Sequence, residues 1–381
     1  MSPNTNPVFT LLRSIHTVAD VHNCMRAQYA HVGLNDLRQC YIYGAGQDAS
    51  DFIERCHQVG VKVLGVFDDD PKKQGLSLGG YPIQATEALR DPGPGAPLII
   101  TTHRVALAAK NLCKLGISSF VPAWALQILH PDLFPPHMYY RKWAEDLVVN
   151  RHKYISLWNT LADETSRRIY EAIIDFKISF NPLVLLTNMD VSGEYFPEGV
   201  IKLTEDEVFV DGGAWTGDTI RVFKEKVKDN YERVYAFEPS PLTFQRLSEN
   251  FAADPRVVPL NKGLYSQSAV LRFDDFGSTA SRVSDVGALE VPVTTIDQAV
   301  RGGRVSFIKL NIEGAEAAAI RGAEATIRNY RPKMALCVYH SPRDIWEIPE
   351  VVTSIVDDYD FYLRHHDGGI IQLVLYAVPR S

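Results

Sequence analysis

Several features that would define a protein class are missing from this sequence of 381 residues. It contains no run of about 18 apolar residues, which argues against a membrane-spanning helix. The first segment has no apolar stretch of the length that a secretory signal needs. The five cysteines form no C-x-x-C pair, so neither a disulfide framework nor a zinc site is indicated. We therefore expect a cytoplasmic protein with no membrane span.

Excess positive charge is also missing, since the formal net charge is −7. Nucleic acid is therefore a poor partner, because phosphate contacts require a basic surface. Hydrophobic residues make up 46% of the chain and charged residues 22%, without a long low-complexity segment. This composition is typical of a globular protein, and the length indicates more than one domain.

The first part of the chain alternates between strand-like and helical patterns: Gln39–Tyr43, Asp48–Val59, Val61–Phe67, Leu98–Thr101 and Val105–Leu115. Such alternation predicts a parallel sheet with right-handed crossovers. We predict a Rossmann-like accessory domain over residues 1–123, including an N-terminal helix. Residues 124–195 contain amphipathic helical patterns interrupted by prolines, and we predict a helical connector there.

A second α/β pattern occupies residues 196–381. Its predicted strands are Val208–Val210, Arg233–Phe237, Val257–Leu260, Ser306–Leu310, Met334–Tyr339, Asp360–His366 and Ile370–Val378. The last two are joined by an Asp-Gly-Gly turn, which is a hairpin signal. The predicted fold class is therefore α/β, with two Rossmann-like domains joined by a helical connector. The second domain ends in an antiparallel hairpin.

The strongest local pattern is VFVDGGAWTGDT, in which a strand ends in an acid, a glycine turn follows and a helix begins. Glycines at such a turn allow the backbone to approach a ligand closely. Glu238 ends the next strand, where a carboxylate can accept both ribose hydroxyls of an adenosine. Asp211 suits the cationic methionine part of S-adenosylmethionine better than it suits a pyrophosphate. A nucleotide fold without cofactor, or with NAD, stays the alternative.

We expect the cofactor site to include the turn and the start of the next helix. Its predicted residues are Asp211, Gly212, Gly213, Ala214, Thr216, Gly217, Asp218, Thr219 and Glu238. Asn261 and Gly263 follow the third strand and are expected to border the adenine.

In this order, the segments VDGGAWTGDT, AFEPSP, IKLNIEGAE and VYHSPRDIWEIP resemble the FkbM-type methyltransferase family. The resemblance covers about residue 195 to the end. It implies a methyltransferase sheet, S-adenosylmethionine as donor and a hydroxyl oxygen, often on a sugar or polyketide, as acceptor. We accordingly expect an O-methyltransferase that acts on a small molecule, sugar nucleotide or glycan. A homo-oligomer is compatible with the sequence.

Three residues are candidates for the acceptor side of the site. The family usually has Asp where this chain has Asn311, and an amide can form hydrogen bonds but cannot serve as a carboxylate base. His340 follows a strand at the sheet edge, and an ordinary imidazole titrates near neutral pH. Glu313 is the alternative base, and His365 and His366 are weaker candidates. We predict no metal, although Asn311, Glu313 and a histidine stay open as a ligand set.

The first domain contains G-x-G-x-x-A at Gly44–Ala49, and Asp68 lies where a ribose-binding acid is expected. The segment FDDDPKKQGLSLGGYPI resembles Rossmann-like domains of nucleotide-sugar-modifying enzymes. Two interpretations stay open, a pocket for the nucleotide or sugar part of the acceptor and a scaffold or oligomerisation unit without ligand. For the whole chain, Asn311 leaves a second hypothesis open, a non-catalytic protein that binds a nucleotide or adenosine compound.

Overall fold

The structure is a computed structural model that describes residues 6–32, 34, 37–90, 96–135, 137–186, 189, 193–274, 282–283, 289–369 and 371–380. Backbone contacts divide the chain into two units. Unit 1 comprises residues 1–159, 167–189 and 367–372, and unit 2 comprises residues 160–166, 190–366 and 373–381. Within the described residues, no helix has the length and apolarity needed to cross a membrane.

Unit 1 is built on a mostly parallel sheet. Its strands are β1 (Gln39–Tyr43), β2 (Lys62–Asp68), β3 (Ser77–Leu78), β4 (Tyr81–Ala85), β5 (Leu98–Ile100) and β6 (Phe120–Pro122), in the spatial order β3-β4-β2-β1-β5-β6. The β1–β2, β1–β5, β5–β6 and β2–β4 pairs are parallel, whereas β3 and β4 are antiparallel. Strand β5 is buried throughout, as expected for the inside of a parallel sheet.

Some of the helices found up to residue 179 have clear cap residues. The helices of this part of the chain are α1 (Pro7–Ser14), α2 (Val18–Gln28), α3 (Gln47–Val59), α4 (Val105–Lys114), α5 (Ala123–Leu129), α6 (Trp143–Val149), α7 (Arg151–Thr160) and α8 (Glu164–Ser179). Thr17 and Asp20 form a capping box that starts α2. Gly60, in the left-handed conformation at φ 76°, ends α3.

Most of the segment predicted as a helical connector lies in unit 1, namely residues 124–159 and 167–189. These helices pack on the N-terminal ones through buried aromatic residues. Tyr29 donates a hydrogen bond of 2.6 Å to the backbone carbonyl of Phe180. The ring centre of Phe180 lies 5.3 Å from that of Tyr140. The boundaries at residues 123 and 195 stay predictions.

Unit 2 contains a seven-stranded sheet and a smaller four-stranded sheet. Its strands are β7 (Val208–Gly212), β8 (Arg233–Phe237), β9 (Val257–Leu260), β10 (Gly263–Leu264), β11 (Ala269–Asp274), β12 (Arg282–Val283), β13 (Leu289–Thr294), β14 (Phe307–Leu310), β15 (Lys333–Cys337), β16 (Tyr359–His365) and β17 (Leu373–Pro379). Its helices are α9 (Asp218–Lys226), α10 (Pro241–Asn250), α11 (Ile296–Val300), α12 (Glu316–Arg321), α13 (Glu324–Tyr330) and α14 (Asp344–Ile355).

The large sheet has the spatial order β16-β17-β15-β14-β7-β8-β9. Counted along the chain within this sheet, the order is 3-2-1-4-5-7-6 from β9 to β16. Strands β7, β8, β9, β14 and β15 pair in parallel, and β17 pairs antiparallel with both β15 and β16. The predicted α/β fold class and its antiparallel end are confirmed.

Aromatic residues form much of the hydrophobic core of unit 2. The ring of Phe209 lies 4.9 Å from that of Phe223 and 5.1 Å from that of Phe307. All three side chains are fully buried. They fasten α9 to the strands β7 and β14, whose carboxyl ends carry the candidate site.

Candidate active site

Strands β7 and β14 are neighbours at the point where the strand order of the large sheet reverses. Open α/β sheets bind ligands in the crevice outside the carboxyl ends of the strands at such a point. Two turns leave the sheet here, one at residues 213–217 after β7 and one at residues 311–315 after β14. They carry six of the residues that the sequence predicts as functional, namely Gly213, Ala214, Thr216, Gly217, Asn311 and Glu313.

The glycines of the first turn are required by contacts within the protein. Gly213 and Gly217 adopt φ angles of 74° and 84°, which disfavour any side chain. A Cβ on Gly213 would lie 2.0 Å from the carbonyl oxygen of Asn311, and one on Gly217 would lie 2.1 Å from the ring of Phe251. Contacts within the protein therefore account for glycine at both positions, and close approach of this turn to a ligand stays a prediction.

Asp211 forms an ion pair with a buried lysine inside the sheet. Its Oδ1 lies 3.0 Å from Lys309 Nζ, and both side chains are almost completely buried. Burial raises the pKa of Asp211, and the Lys309 ammonium opposes this rise. For Lys309, burial acts to lower the pKa, but the Asp211 carboxylate outweighs it and the pKa is raised.

Lys309 also binds the turn itself. Its ammonium donates hydrogen bonds to the carbonyls of Gly212, at 3.2 Å, and Gly213, at 2.9 Å. The ammonium lies 5.1 Å from the ring centre of Tyr195, within the range of a cation–π contact. The Asp211–Lys309 pair therefore holds the first residues of the turn in place.

Glu238 follows β8 and faces the first turn. Its Oε2 accepts a hydrogen bond of 3.0 Å from the Trp215 backbone N–H, and its Oε1 accepts one of 2.9 Å from that of Ser240. Glu238 is 8% exposed, and burial raises the pKa of its carboxyl group. Each carboxylate oxygen retains a lone pair for a further donor.

The other predicted cofactor residues lie in three places: after β9, in the small sheet, and in the first turn with the start of α9. Asn261 donates a hydrogen bond of 2.9 Å from its side-chain amide to the Glu238 carbonyl, so it connects the ends of β8 and β9. Gly263 lies in the small sheet opposite Val293. In the first turn and the start of α9, Ala214 and Thr219 are buried, Thr216 is half-buried and Asp218 is exposed.

Asn311 begins the second turn and is held between two tyrosines. Its Nδ2 donates to the Tyr195 hydroxyl at 3.1 Å, and its Oδ1 accepts from the Tyr339 hydroxyl at 3.4 Å. The half-buried Asn311 therefore has a fixed amide orientation. Neither tyrosine was predicted as a site residue, although Tyr339 belongs to the VYHSP segment and its position directly before His340 was a usable signal.

His340 is buried among acidic groups. Its Nδ1 lies 2.9 Å from Glu316 Oε1, and its Nε2 lies 3.8 Å from Glu313 Oε2. Burial acts to lower the pKa of His340, but Glu316, Glu313 and Asp344 together raise it to about 9. An imidazole that already carries a proton at neutral pH cannot accept another. The acidic neighbours of His340 therefore disfavour its predicted role as base, and that role stays a prediction.

The other two candidate histidines are buried, and the structure brings together a set of metal-ligating side chains that differs from the predicted one. His365 and His366 are both buried, and His366 Nε2 lies 2.7 Å from the Tyr376 hydroxyl. Glu316, His340 and Asp344 offer ligand atoms that lie within 4.8 Å of one another. The sequence predicted no such cluster, because its three members come from separate segments.

In unit 1, Asp68 is engaged by the chain itself. Its Oδ2 accepts hydrogen bonds from the Ala45 backbone N–H at 2.6 Å and from Lys73 Nζ at 3.1 Å. A Cβ on Gly46 would meet no atom within 4 Å. A cavity of about 380 Å³ opens at this end of the sheet, lined by residues that include Asp48, Asp51, Glu54, Arg55, Trp124 and His137. Three carboxylates in the lining disfavour a phosphate group there.

The sheet order, its acid–glycine turn and the acidic residue after β8 are typical of the Rossmann-like methyltransferase fold. Residues 211–367 match the family model described as the methyltransferase FkbM domain. The predicted resemblance to the FkbM-type family is thus confirmed over these residues.

Two relatives extend the comparison. The chain is 32% identical over 145 residues to the hexuronic acid methyltransferase AglP of Haloferax volcanii, covering 35% of this chain and 57% of that protein. It therefore spans little more than half the length of this curated relative. The solved structure of methyltransferase FkbM from Methylobacillus flagellatus KT is similar with a TM-score of 0.74 and 21% identity, covering 97% of this chain and 98% of that one. At this identity the likeness concerns the fold.

Proposed function

We propose that this chain transfers the methyl group of S-adenosylmethionine to a hydroxyl oxygen of a sugar or glycan-related acceptor. The observation that carries the proposal is the position of Glu238 opposite the acid–glycine turn, joined to Trp215 by a hydrogen bond of 3.0 Å. The match of residues 211–367 to the FkbM domain supports the same activity.

On the donor side, Glu238 accepts hydrogen bonds from the ribose hydroxyls through the lone pairs that its two backbone partners leave free. Asn261 and Gly263 border the adenine. Asp211 already faces the Lys309 ammonium at 3.0 Å. We therefore assign to Asp211 the positioning of the glycine turn, rather than contact with the methionine part of the donor.

On the acceptor side, Asn311 orients the hydroxyl and Glu313 takes its proton. The amide of Asn311 is held by Tyr195 and Tyr339, so it offers a fixed partner to an acceptor. Glu313 is the more accessible carboxylate beside His340, with 26% of its side chain exposed against 1% for Glu316. His340 keeps the Glu313 side chain in place. Most of the rate comes from holding the acceptor oxygen about 3 Å from the sulfonium methyl group.

The sugar class of the acceptor is supported by the name of the relative from Haloferax volcanii, a hexuronic acid methyltransferase. Hexuronic acids carry several adjacent hydroxyls, any of which is a chemically suitable acceptor. The location of the chain in the cytoplasm and its oligomeric state stay predictions.

The test is a methyl-transfer assay with S-adenosylmethionine that carries a deuterated methyl group. The acceptors are free hexuronic acids, neutral hexoses, sugar nucleotides and uronic-acid-containing oligosaccharides, and products are analysed by mass spectrometry. We expect the label on a hydroxyl oxygen of at least one of them. Donor binding without transfer to any acceptor would instead favour the non-catalytic adenosine-binding protein.

A further inference from the structure

Glu316, His340 and Asp344 bring one imidazole and two carboxyl groups together in unit 2. Glu316 is the first residue of α12, His340 follows β15, and Asp344 is the first residue of α14. Their ligand atoms lie within 4.8 Å of one another. Their exposed fractions are 0%, 5% and 4%, so the cluster is shielded from water.

Among the described residues, one oxygen of the Glu316 carboxylate has no hydrogen-bond partner. Glu316 Oε1 accepts a hydrogen bond of 2.8 Å from the Ile312 backbone N–H and faces His340 Nδ1. Glu316 Oε2 is buried and has no hydrogen-bond partner in the part of the chain that the structure describes. Asp344 Oδ2 accepts a hydrogen bond of 2.7 Å from the Ser341 backbone N–H. A buried carboxylate oxygen without a donor is costly, and a bound cation is one partner that would satisfy it.

The acidic groups around the cluster also favour a bound cation. Glu313 adds a third carboxylate, 3.8 Å from His340 Nε2. A single imidazole therefore faces three acidic groups. Nearby Glu347 on α14 is paired with Arg321 and Arg343, so those two guanidinium groups are already engaged.

We propose that Glu316, His340 and Asp344 bind one divalent cation, and that Mn²⁺ is the ion that fits them best. Two adjacent ligands of an octahedral ion at about 2.1 Å are about 3.0 Å apart, which matches the 2.9 Å between Glu316 Oε1 and His340 Nδ1. Oxygen ligands suit Mn²⁺ and Mg²⁺, whereas imidazole suits transition metals. The mixed set therefore favours Mn²⁺ over Mg²⁺ or Ca²⁺.

A bound ion would join the second turn to the end of β15. Glu316 holds the backbone of Ile312 in that turn, and His340 leaves β15. The ion would thus fix the segment that carries Asn311 and Glu313. The metal site does not depend on the proposed methyl transfer, since it rests on the burial and geometry of its three ligands and on the free oxygen of Glu316.

The experiment is a titration of the full chain with MnCl₂ after EDTA treatment and removal of the chelator. The free ion is followed by its electron paramagnetic resonance signal. We expect one bound Mn²⁺ per chain, and Glu316→Gln should weaken binding by at least about tenfold. Gln still accepts the Ile312 hydrogen bond, so this variant retains the local fold. Glu347→Gln removes the same charge outside the cluster and should bind as the unmodified chain does.

Two results would overturn the metal site. One is an undiminished free-Mn²⁺ signal in the presence of the unmodified chain. The other is equal binding by Glu316→Gln and the unmodified chain when both melt cooperatively. If Glu316→Gln does not fold, Asp344→Asn replaces it, and the titration of the unmodified chain still decides. Calorimetry with S-adenosylhomocysteine on the same samples reports the donor site separately, so failure of one proposal is distinguishable from failure of the other.

Discussion

Lys309 Nζ lies 3.0 Å from Asp211 Oδ1, and the two residues stand opposite each other on the adjacent strands β14 and β7. The same ammonium donates to the Gly213 carbonyl at 2.9 Å. This contact links the interior of the sheet to the first turn of the candidate donor site. Its removal should therefore affect both the stability of unit 2 and the geometry of the turn.

Lys309→Met should reduce the free energy of unfolding by about 3–5 kcal/mol, because it leaves the Asp211 carboxylate buried without its partner. Addition of Asp211→Asn to this variant should restore part of the loss. Urea unfolding followed by circular dichroism measures both. As a control, Arg328→Met removes a half-exposed partner of Glu324 and should cost less than about 1 kcal/mol. Equal losses for Lys309→Met and Arg328→Met would show that the buried pair does not stabilise the sheet.

Glu313→Gln should lower the turnover number by about 10² to 10⁴, the usual contribution of a positioned base. The affinity for S-adenosylhomocysteine should stay within about twofold, because Glu238 and the glycine turn bind the donor. Steady-state kinetics and calorimetry separate the two effects.

A second substitution tests the same role of Glu313. Asn311→Asp places a carboxylate on the same turn and should restore part of the activity of Glu313→Gln. The matched control is Glu324→Gln on α13, which alters an exposed acid away from the turn. Full activity of Glu313→Gln would remove the base from the mechanism and leave positioning as the catalytic device.

Gly46→Val should fold normally, because Gly46 has an extended conformation at φ −103° and a Cβ there meets no atom within 4 Å. Donor binding should be unchanged, since the donor turn lies in unit 2. If unit 1 binds part of the acceptor, the acceptor KM should rise. An unchanged KM would assign unit 1 to a scaffold role.

The contrasting variant for this prediction is Gly44→Val. Gly44 has a φ of 100°, and a Cβ there would lie 3.1 Å from the Thr102 backbone nitrogen. This substitution should therefore lower the melting temperature clearly, whereas Gly46→Val should not. Thermal unfolding of both variants establishes whether the KM effect of Gly46→Val is local.

Asp254→Asn should destabilise unit 2 in a pH-dependent way. The guanidinium of Arg256, followed by Lys224 and Tyr231, holds the pKa of Asp254 well below its usual range. The carboxylate therefore stabilises the fold above its unfolded pKa of about 4, and this contribution is lost as the pH falls below that value.

At pH 7 the expected loss for Asp254→Asn is about 1.5–3 kcal/mol, the range for hydrogen bonds to a charged group. The difference from the unmodified chain should narrow between pH 4 and pH 2. Asp360→Asn, which removes a more exposed partner of Arg380, should cost less than about 1 kcal/mol. A difference that stays constant with pH would contradict the assigned ion pairs. Denaturant unfolding of both chains at several pH values measures this difference in the free energy of unfolding.

The sequence was sufficient for many local elements of the fold, but the strands β3, β4 and β10 to β13 were not predicted. Alternation of apolar strands with amphipathic helices identified the parallel part of both large sheets, and the Asp-Gly-Gly turn identified the last hairpin. The insertion of β17 between β15 and β16 and the pairing of β11 with β13 were not predicted. These pairings join segments that are distant in sequence, and no local periodicity specifies them.

In the candidate site, too, some residues were identified from the sequence, whereas the partners that surround them were not. Glu238 was located by its place after the strand that follows the glycine turn. The partner of Asp211 could not be assigned, because Lys309 approaches from a strand much further along the chain. Burial acts to lower the pKa of His340 and also limits its access to solvent, whereas Glu316 raises that pKa. The residue types were visible in the sequence, but their electrostatic surroundings were not.

The most direct test of the account is a calorimetric titration with S-adenosylhomocysteine of the unmodified chain and of Glu238→Ala. We predict one site per chain and a loss of about 1.5–3 kcal/mol of binding free energy in the variant, the scale of hydrogen bonds to a charged group. That loss corresponds to at least about a tenfold weaker Kd. An absence of binding by the unmodified chain, or equal affinity of a folded Glu238→Ala variant, would contradict the assignment of the donor site.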